Sequence, residues 1–157
     1  TVEVSVAARD AAGNEGPAAP AAIVTTPGAL AGQQTMPAKT DDAAVRAVVE
    51  RYLHGLKFND VPSLQAAFWP EAKLLFIKRD GTIGQLTQAE WQKGFVASAG
   101  KEEEGTLAIT SVDITDNAAS VKVTETYPKS IYVDYLNLLR VQGEWRIVNK
   151  IYTSRPR

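Results

Sequence analysis

Val133-Asp134-Tyr135-Leu136-Asn137-Leu138-Leu139-Arg140-Val141, then Gln142-Gly143-Glu144, then Trp145-Arg146-Ile147-Val148-Asn149-Lys150-Ile151-Tyr152, reads as two alternating strands joined by a glycine turn. A three-residue loop centred on Gln142 predicts that the odd-numbered side chains share one face. That face would carry Val133, Tyr135, Leu139, Val141, Trp145, Ile147 and Ile151, and it is the expected core side. Asn137 and Asn149 fall in its middle. In this register they are diagonal neighbours, so two uncharged amides facing a core imply either a bond between them or a polar-lined pocket. Asp134, Arg140, Arg146 and Lys150 would then lie on the opposite face as a solvated or interfacial salt network.

Upstream of this pair, Thr106 to Thr115 and Ala118 to Tyr127 continue the strand pattern. In Val121-Lys122-Val123-Thr124-Glu125-Thr126-Tyr127, Glu125 shares its face with Val121, Val123 and Tyr127. A carboxylate on an apolar face must be paired, protonated or at a cavity mouth, unless it reaches water at the strand end. Three helices precede these strands. Val45, Val48, Val49, Tyr52 and Leu56 recur at helical spacing after Thr40, the expected cap, with Asp41 and Asp42 at the positive helix end. A second, shorter helix starts with Asp60 and Pro62, carries Leu64, Ala67 and Phe68, and stops at Pro70. Lys73 to Lys78 and Thr82 to Leu86 form a short hairpin across Asp80-Gly81, and Thr87-Gln88-Ala89-Glu90 is a capping box for the third helix, which ends near Gly100. This order is α+β.

Composition excludes several classes of function. The 157 residues carry 17 basic and 18 acidic side chains, scattered rather than striped, so nucleic acid is not the expected partner. The most apolar stretch, Leu74-Leu75-Phe76-Ile77, is strand-length, whereas a membrane-spanning helix needs about 20 apolar residues, so no membrane partner is expected either. There is no cysteine, and His54 is the only histidine, which removes thiol chemistry and the paired-histidine zinc motifs. No metal and no cofactor are expected. Gly94 to Gly100 followed by Lys101 has the wrong spacing for a phosphate loop, and Glu102 stands where a hydroxyl must hold magnesium. Lys101-Glu102-Glu103-Glu104 reads as a solvated connection.

Composition also shifts near residue 40. Every Trp, Tyr and Phe lies beyond Asp41, which predicts a domain over residues 41–157 preceded by a linker over 29–40. Residues 1–28 contain an alternating Val2, Val4, Val6, the loop Ala8-Arg9-Asp10-Ala11-Ala12-Gly13-Asn14, and Thr25-Thr26-Pro27. They resemble the last two strands of a fibronectin type III module. Such a sandwich needs about seven strands, so an isolated pair is a remnant that cannot hold itself together. The resemblance suggests an exported bacterial protein.

From Asp41 to Thr153 the chain resembles the nuclear transport factor 2-like superfamily, also called SnoaL-like, and within it the Putative lumazine-binding family. The match is carried by Val49-Glu50-Arg51-Tyr52-Leu53-His54-Gly55-Leu56, by Asp60 to Trp69, by Asp134-Tyr135-Leu136-Asn137-Leu138-Leu139 and by Gly143-Glu144-Trp145-Arg146-Ile147-Val148-Asn149-Lys150. It implies a cone of curved antiparallel sheet packed on three helices, a cavity at the wide end, a pteridine-like ligand, and a homodimer formed through the sheet. No acid-base constellation like that of ketosteroid isomerases maps onto this sequence.

Candidate site residues follow from these placements. His54 falls opposite the apolar stripe of the first helix and should face solvent. Tyr52, Trp69, Tyr135 and Trp145 offer aromatic surface for a planar ligand, although aromatic residues at core spacing are more often simply core. The leading expectation is a noncatalytic small-molecule-binding or accessory domain whose pocket is lined by Tyr52, Trp69, Tyr135, Asn137 and Asn149. A second is a small isomerase or dehydratase with Glu125 as general base. A third is a dimerisation module without ligand, touching through Leu136, Leu138, Val148 and Tyr152.

Overall fold

Thr87 and Glu90 form the expected capping box: the Thr87 hydroxyl accepts from the Glu90 amide, and the Glu90 carboxylate accepts from the Thr87 amide at 2.8 Å. They start α3 (Gln88–Gln92), which continues as a 3-10 segment, Lys93–Ser98. The structure, a computed structural model, describes residues 38–157. The fibronectin-like hairpin and nearly all of the linker expected before the domain lie outside the described residues.

The first helix, α1 (Ala38–Phe58), begins before Thr40, the residue expected to cap it. Its stripe of Val45, Val49, Tyr52 and Leu56 is buried. His54 is exposed, as expected, with Nε2 3.5 Å from Asp60 Oδ2. Asp60 precedes α2 (Val61–Ala67) and accepts from Ser63 Oγ at 2.6 Å. Leu64 of α2 packs onto Gly55, where an added Cβ would come within 2.5 Å of Leu64 Cδ2, so the glycine sets how closely the two helices approach.

Six strands form one sheet in the order β2-β1-β6-β5-β4-β3. These are β1 (Phe68–Ile77), β2 (Ile83–Thr87), β3 (Thr106–Thr115), β4 (Ala118–Thr126), β5 (Ser130–Val141) and β6 (Glu144–Pro156). All neighbours are antiparallel except β1 and β6, which run parallel. β1 starts at Phe68, well before the expected Lys73, because its first residues pair with β6 rather than with the hairpin partner: Phe68 lies opposite Ile147.

The β5–β6 hairpin departs from the expected register, and the turn is the cause. Gln142 and Gly143 both have left-handed backbone, φ 52° and 86°, and Val141 pairs with Glu144, so the loop has two residues rather than three. Trp145 therefore lies opposite Arg140, and Ile147 opposite Leu138. Losing one loop residue inverts the faces of β5 relative to β6. Asp134, Leu136 and Leu138 are the buried residues of β5, and Tyr135 and Leu139, expected inside, are exposed. Leu136 and Leu138 are thus core residues, not the outward contact face expected of a dimerisation module.

A bulge then changes the face of β6 as well. Leu138 pairs with Ile147 but Asn137 pairs with Asn149, so Val148 is the extra residue. Before it, Trp145 and Ile147 point into the core; after it, Lys150 does, and Ile151 is exposed. The core is completed by Leu64, Phe68 and Leu74 from the first half of the domain and by Val121 and Val123 of β4.

Candidate functional site

Lys150 and Asp134, expected in a solvated salt network, form an ion pair inside the core. Lys150 Nζ is 2.8 Å from Asp134 Oδ2, and the two residues are 4% and 0% exposed. Their strands bring them inward because Asp134 lies opposite Val123, and Lys150 opposite Leu136, both fully buried. Tyr52, from α1, completes the cluster. Its hydroxyl donates to Asp134 Oδ2 at 2.5 Å and accepts from Lys150 Nζ at 2.7 Å. Burial first, and then the Asp134 charge, hold the Tyr52 phenol well above its ordinary range, so it stays a donor. The ammonium is also enclosed by rings, lying 5.3 Å from the Tyr52 centroid, 5.0 Å from Trp91 and 4.8 Å from Tyr152.

Beside this cluster, between the sheet and the helices, is a cavity of about 400 Å³. Its apolar wall consists of Leu56, Trp91, Phe95, Tyr127, Tyr132 and Tyr152. Trp91 and Phe95 meet edge to face with centroids 4.7 Å apart, and so do Tyr127 and Tyr132 at 5.9 Å. The polar groups are Asn59, Glu103, Glu125 and Lys150. Asn59 Nδ2 donates to Glu103 Oε1 and to the Lys101 carbonyl, each at 2.9 Å, and Lys57 Nζ donates to the Glu103 carbonyl at 2.6 Å. The Lys101–Glu104 connection, expected to be merely solvated, is therefore anchored at Glu103 to the end of α1.

Glu125 does face inward, on the same side of β4 as Val121 and Val123, and it is 4% exposed. Its Oε2 accepts from the Tyr127 hydroxyl at 3.0 Å. Its Oε1 is buried without a hydrogen-bond partner, and so is Asp134 Oδ1. Burial, followed by a hydrogen bond to Asp134 and repulsion from its charge, pushes the Glu125 carboxyl from 4.5 up to about 8, against an opposing attraction from Lys150. The surroundings of Glu125 thus favour its protonated form, which can donate a hydrogen bond. Burial and the neighbouring Glu125 also raise the Tyr127 phenol.

The remaining sequence-derived candidates are not brought to this cavity. Asn137 and Asn149 lie directly opposite each other on the outer side of the sheet, Asn137 Nδ2 donating to Asn149 Oδ1 at 3.0 Å. They bind each other because the two-residue turn carried Asn137 out of the core and the bulge at Val148 did the same for Asn149. Tyr135 is on the same outer side, its ring 5.7 Å from Lys122 Nζ. Trp69 packs partly buried on β1, with Nε1 3.1 Å from Glu71 Oε2, and Trp145 is core. Tyr52 supports the cavity from behind, its ring stacked 6.3 Å from Trp91. Sequence reading missed Trp91, Phe95, Asn59 and Glu103. For the first two a signal existed, since the capping box of Thr87 and Glu90 fixes a helix whose bulky residues are Trp91 and Phe95.

Among the described residues no group of three or more potential metal ligands occurs, and no helix is long and apolar enough to cross a membrane.

Helices laid on one side of a six-stranded sheet, with a hollow left between the layers, are the nuclear transport factor 2-like arrangement, and this chain is a protein of that class. Within it, the chain belongs to the Putative lumazine-binding family, whose model matches residues 40–153. It is similar to an NTF-2 like protein of unknown function from Silicibacter pomeroyi, with 27% identity, TM-score 0.68, and coverage of 76% of this chain and 100% of that one. A second NTF2-like protein of unknown function, from Shewanella baltica, has 24% identity, TM-score 0.71, and coverage of 78% and 99%, and shares the fold. Aldolase FrzH from Cladobotryum sp is 25% identical over 87 residues, 50% of this chain and 70% of that protein.

Proposed function

We propose that this domain binds a small molecule, without transforming it, in the cavity between Trp91, Tyr127, Tyr132 and Tyr152, with Glu125 as its principal polar contact. The observation that carries this reading is Glu125 itself: a carboxyl almost wholly withdrawn from water, yet set in the wall of a cavity of about 400 Å³. Burying such a group costs free energy unless it is neutralised or paired, and here a ligand can meet it. The family's description supports a small ring system as the occupant. A thermal-shift screen of pteridines, flavins and steroids tests it, because a ligand that binds only the folded state raises Tm by mass action. A rise with one class that Trp91→Ala removes supports the reading; no rise with any of them at saturating concentration overturns it.

The alternative is a small isomerase or dehydratase of the SnoaL-like type. What favours it is the proton on Glu125, which suits a general acid, whereas the general-base role expected from sequence requires the carboxylate. Turnover of a cyclic ketone that Glu125→Gln abolishes would support this alternative over simple binding.

As a partner, a second copy of the chain fits the outer side of the sheet. Leu75, Ile151 and Tyr135 lie in register across β1, β6 and β5, and Ile77 and Ile83 extend the row, exposed at 67% and 68%. An apolar row across several strands is unusual on an isolated monomer.

A further inference from the structure

We propose that the occupant of the cavity is an organic base bound as its cation, and that Glu125 gives up, on binding, the proton it holds toward Asp134. The proposal rests on the binding reading above and names the chemical class of the ligand.

The charges around the cavity point to a cation. Lys150 is the only basic residue in the wall, and it is already committed: Nζ is 2.8 Å from Asp134 Oδ2 and 2.7 Å from the Tyr52 hydroxyl. Lys57, nearby on α1, is held by the Glu103 and Gly105 carbonyls at 2.6 and 3.1 Å and by Glu102 at 3.2 Å. An anionic ligand would find no unpaired cation in the wall, but would meet Glu103 and Glu125. The ring faces and edges of Trp91, Phe95, Tyr127, Tyr132 and Tyr152 instead suit a flat cation, which aromatic quadrupoles attract.

The two unpartnered oxygens explain the proton. Glu125 Oε1 and Asp134 Oδ1 are both buried without a donor when ionised, and they come from adjacent strands, where Val123 lies opposite Asp134 and Glu125 opposite Tyr132. One proton on Glu125 Oε1, donated to Asp134 Oδ1, satisfies both atoms. The groups facing Glu125 are Tyr52 from α1, Tyr127 on its own strand, Asp134 from β5 and Lys150 from β6, with Glu103 across the cavity. Burial and the adjacent Asp134 favour the uncharged Glu125, against the attraction of Lys150. A cation arriving in the cavity favours the Glu125 carboxylate and so drives the proton off. A base that arrives protonated sends the Glu125 proton to solvent; a base that arrives neutral receives it, and the O–H bond of Glu125 is exchanged for an N–H bond on the ligand.

The full chain is titrated calorimetrically with three bicyclic probes of similar shape: 4-aminoquinoline, which is already protonated at neutral pH, as the cation, naphthol as the neutral ring and naphthoate as the anion. The expected result at pH 7 is that aminoquinoline binds more than roughly tenfold tighter than naphthoate. Its enthalpy should differ between phosphate and Tris buffers by the amount that corresponds to release of most of one proton, and the infrared band of a protonated carboxyl should disappear on binding. The tightness of aminoquinoline binding should rise with pH as Glu125 ionises in the free protein and fall again once the aminoquinoline loses its own proton. Naphthoate binding as tightly as aminoquinoline, or aminoquinoline binding with no buffer-dependent enthalpy, overturns the inference while leaving the binding reading in place. Binding of none of the three also overturns the inference, and the screen of pteridines, flavins and steroids then decides the binding reading separately. All of these readouts use the wild-type protein, so they do not depend on a Glu125 variant folding.

Discussion

Asp134 and Lys150 are drawn from neighbouring strands into the core and meet at 2.8 Å, with the Tyr52 hydroxyl bridging them from the first helix. A buried pair of this kind adds little net stability compared with apolar replacements, because both charges are taken out of water. Removing one partner is a different matter, since the other charge is then left alone.

Lys150→Met should therefore destabilise the domain by about 3–5 kcal/mol, and the double change Asp134→Leu with Lys150→Met should cost much less than either single change. Urea unfolding of the three variants measures this. Equal losses from the single and double changes would show that the pair acts through packing and not through charge.

Glu125 gives the domain a pH dependence of unusual sign. Its carboxyl is raised from 4.5 to about 8 in the folded state, so between these values the folded protein binds a proton that the unfolded chain does not. Stability from this group is present below the unfolded value and is lost as pH rises through about 8, with a limiting slope of about 1.4 kcal/mol per pH unit. Unfolding measured from acidic to mildly alkaline pH should show the loss in the wild type and not in Glu125→Gln. Parallel profiles for the two proteins would mean that Glu125 titrates normally.

The amide pair predicts a separation of effects. Asn137→Ala leaves Asn149 without its partner on the half-exposed side of the sheet and should cost about 1 kcal/mol. Ligand affinity should be unchanged, whereas Trp91→Ala, in the cavity wall, should weaken binding. Thermal shifts with a bound ligand distinguish the two. Loss of binding in Asn137→Ala would return the amides to the site.

Gln142 sits at φ 52°, a left-handed conformation that asparagine and glycine adopt more readily than glutamine does. Gln142→Asn should stabilise the hairpin by about 0.5 kcal/mol or more, read as a higher Tm. A lower Tm would indicate that the glutamine side chain has a role of its own.

Ile151→Lys places a charge in the outer apolar row, opposite Tyr135 and Leu75. Sedimentation should show the wild type as a dimer and the variant as a monomer with its fold intact by circular dichroism. A wild type that is monomeric at high concentration would remove the proposed second copy.

Local signals account for what was legible in the chain. The Thr87–Glu90 box, the Asp60 and Pro62 start of α2 and the inward run Val121, Val123, Glu125 depend on near neighbours, and each is found where the residues place it. The face of β5 was not legible, because it turns on whether the loop has two residues or three, and glutamine gives no advance sign of a left-handed backbone. The bulge at Val148 is hidden for a related reason: an extra residue shows only against its partner strand. Lys150 looked like a surface residue because its partners lie far away in sequence, Tyr52 being 98 residues distant. The site was missed where it depends on distant parts of the chain, and Asn59 and Glu103 meet across 44 residues.

The same β6 sequence can be laid against β5 in two ways. With Val148 bulged, Lys150 points to Asp134; with Val148 taken into a regular ladder, Asn149 and Ile151 would turn inward and Lys150 would leave. The second ladder is the more greasy of the two, and hydrophobic patterning alone would choose it. It would also leave Asp134 charged and solitary in the core, a cost of about several kcal/mol. The observed ladder is the one that keeps the ion pair intact, and it sets an ammonium group rather than hydrocarbon beside the hollow.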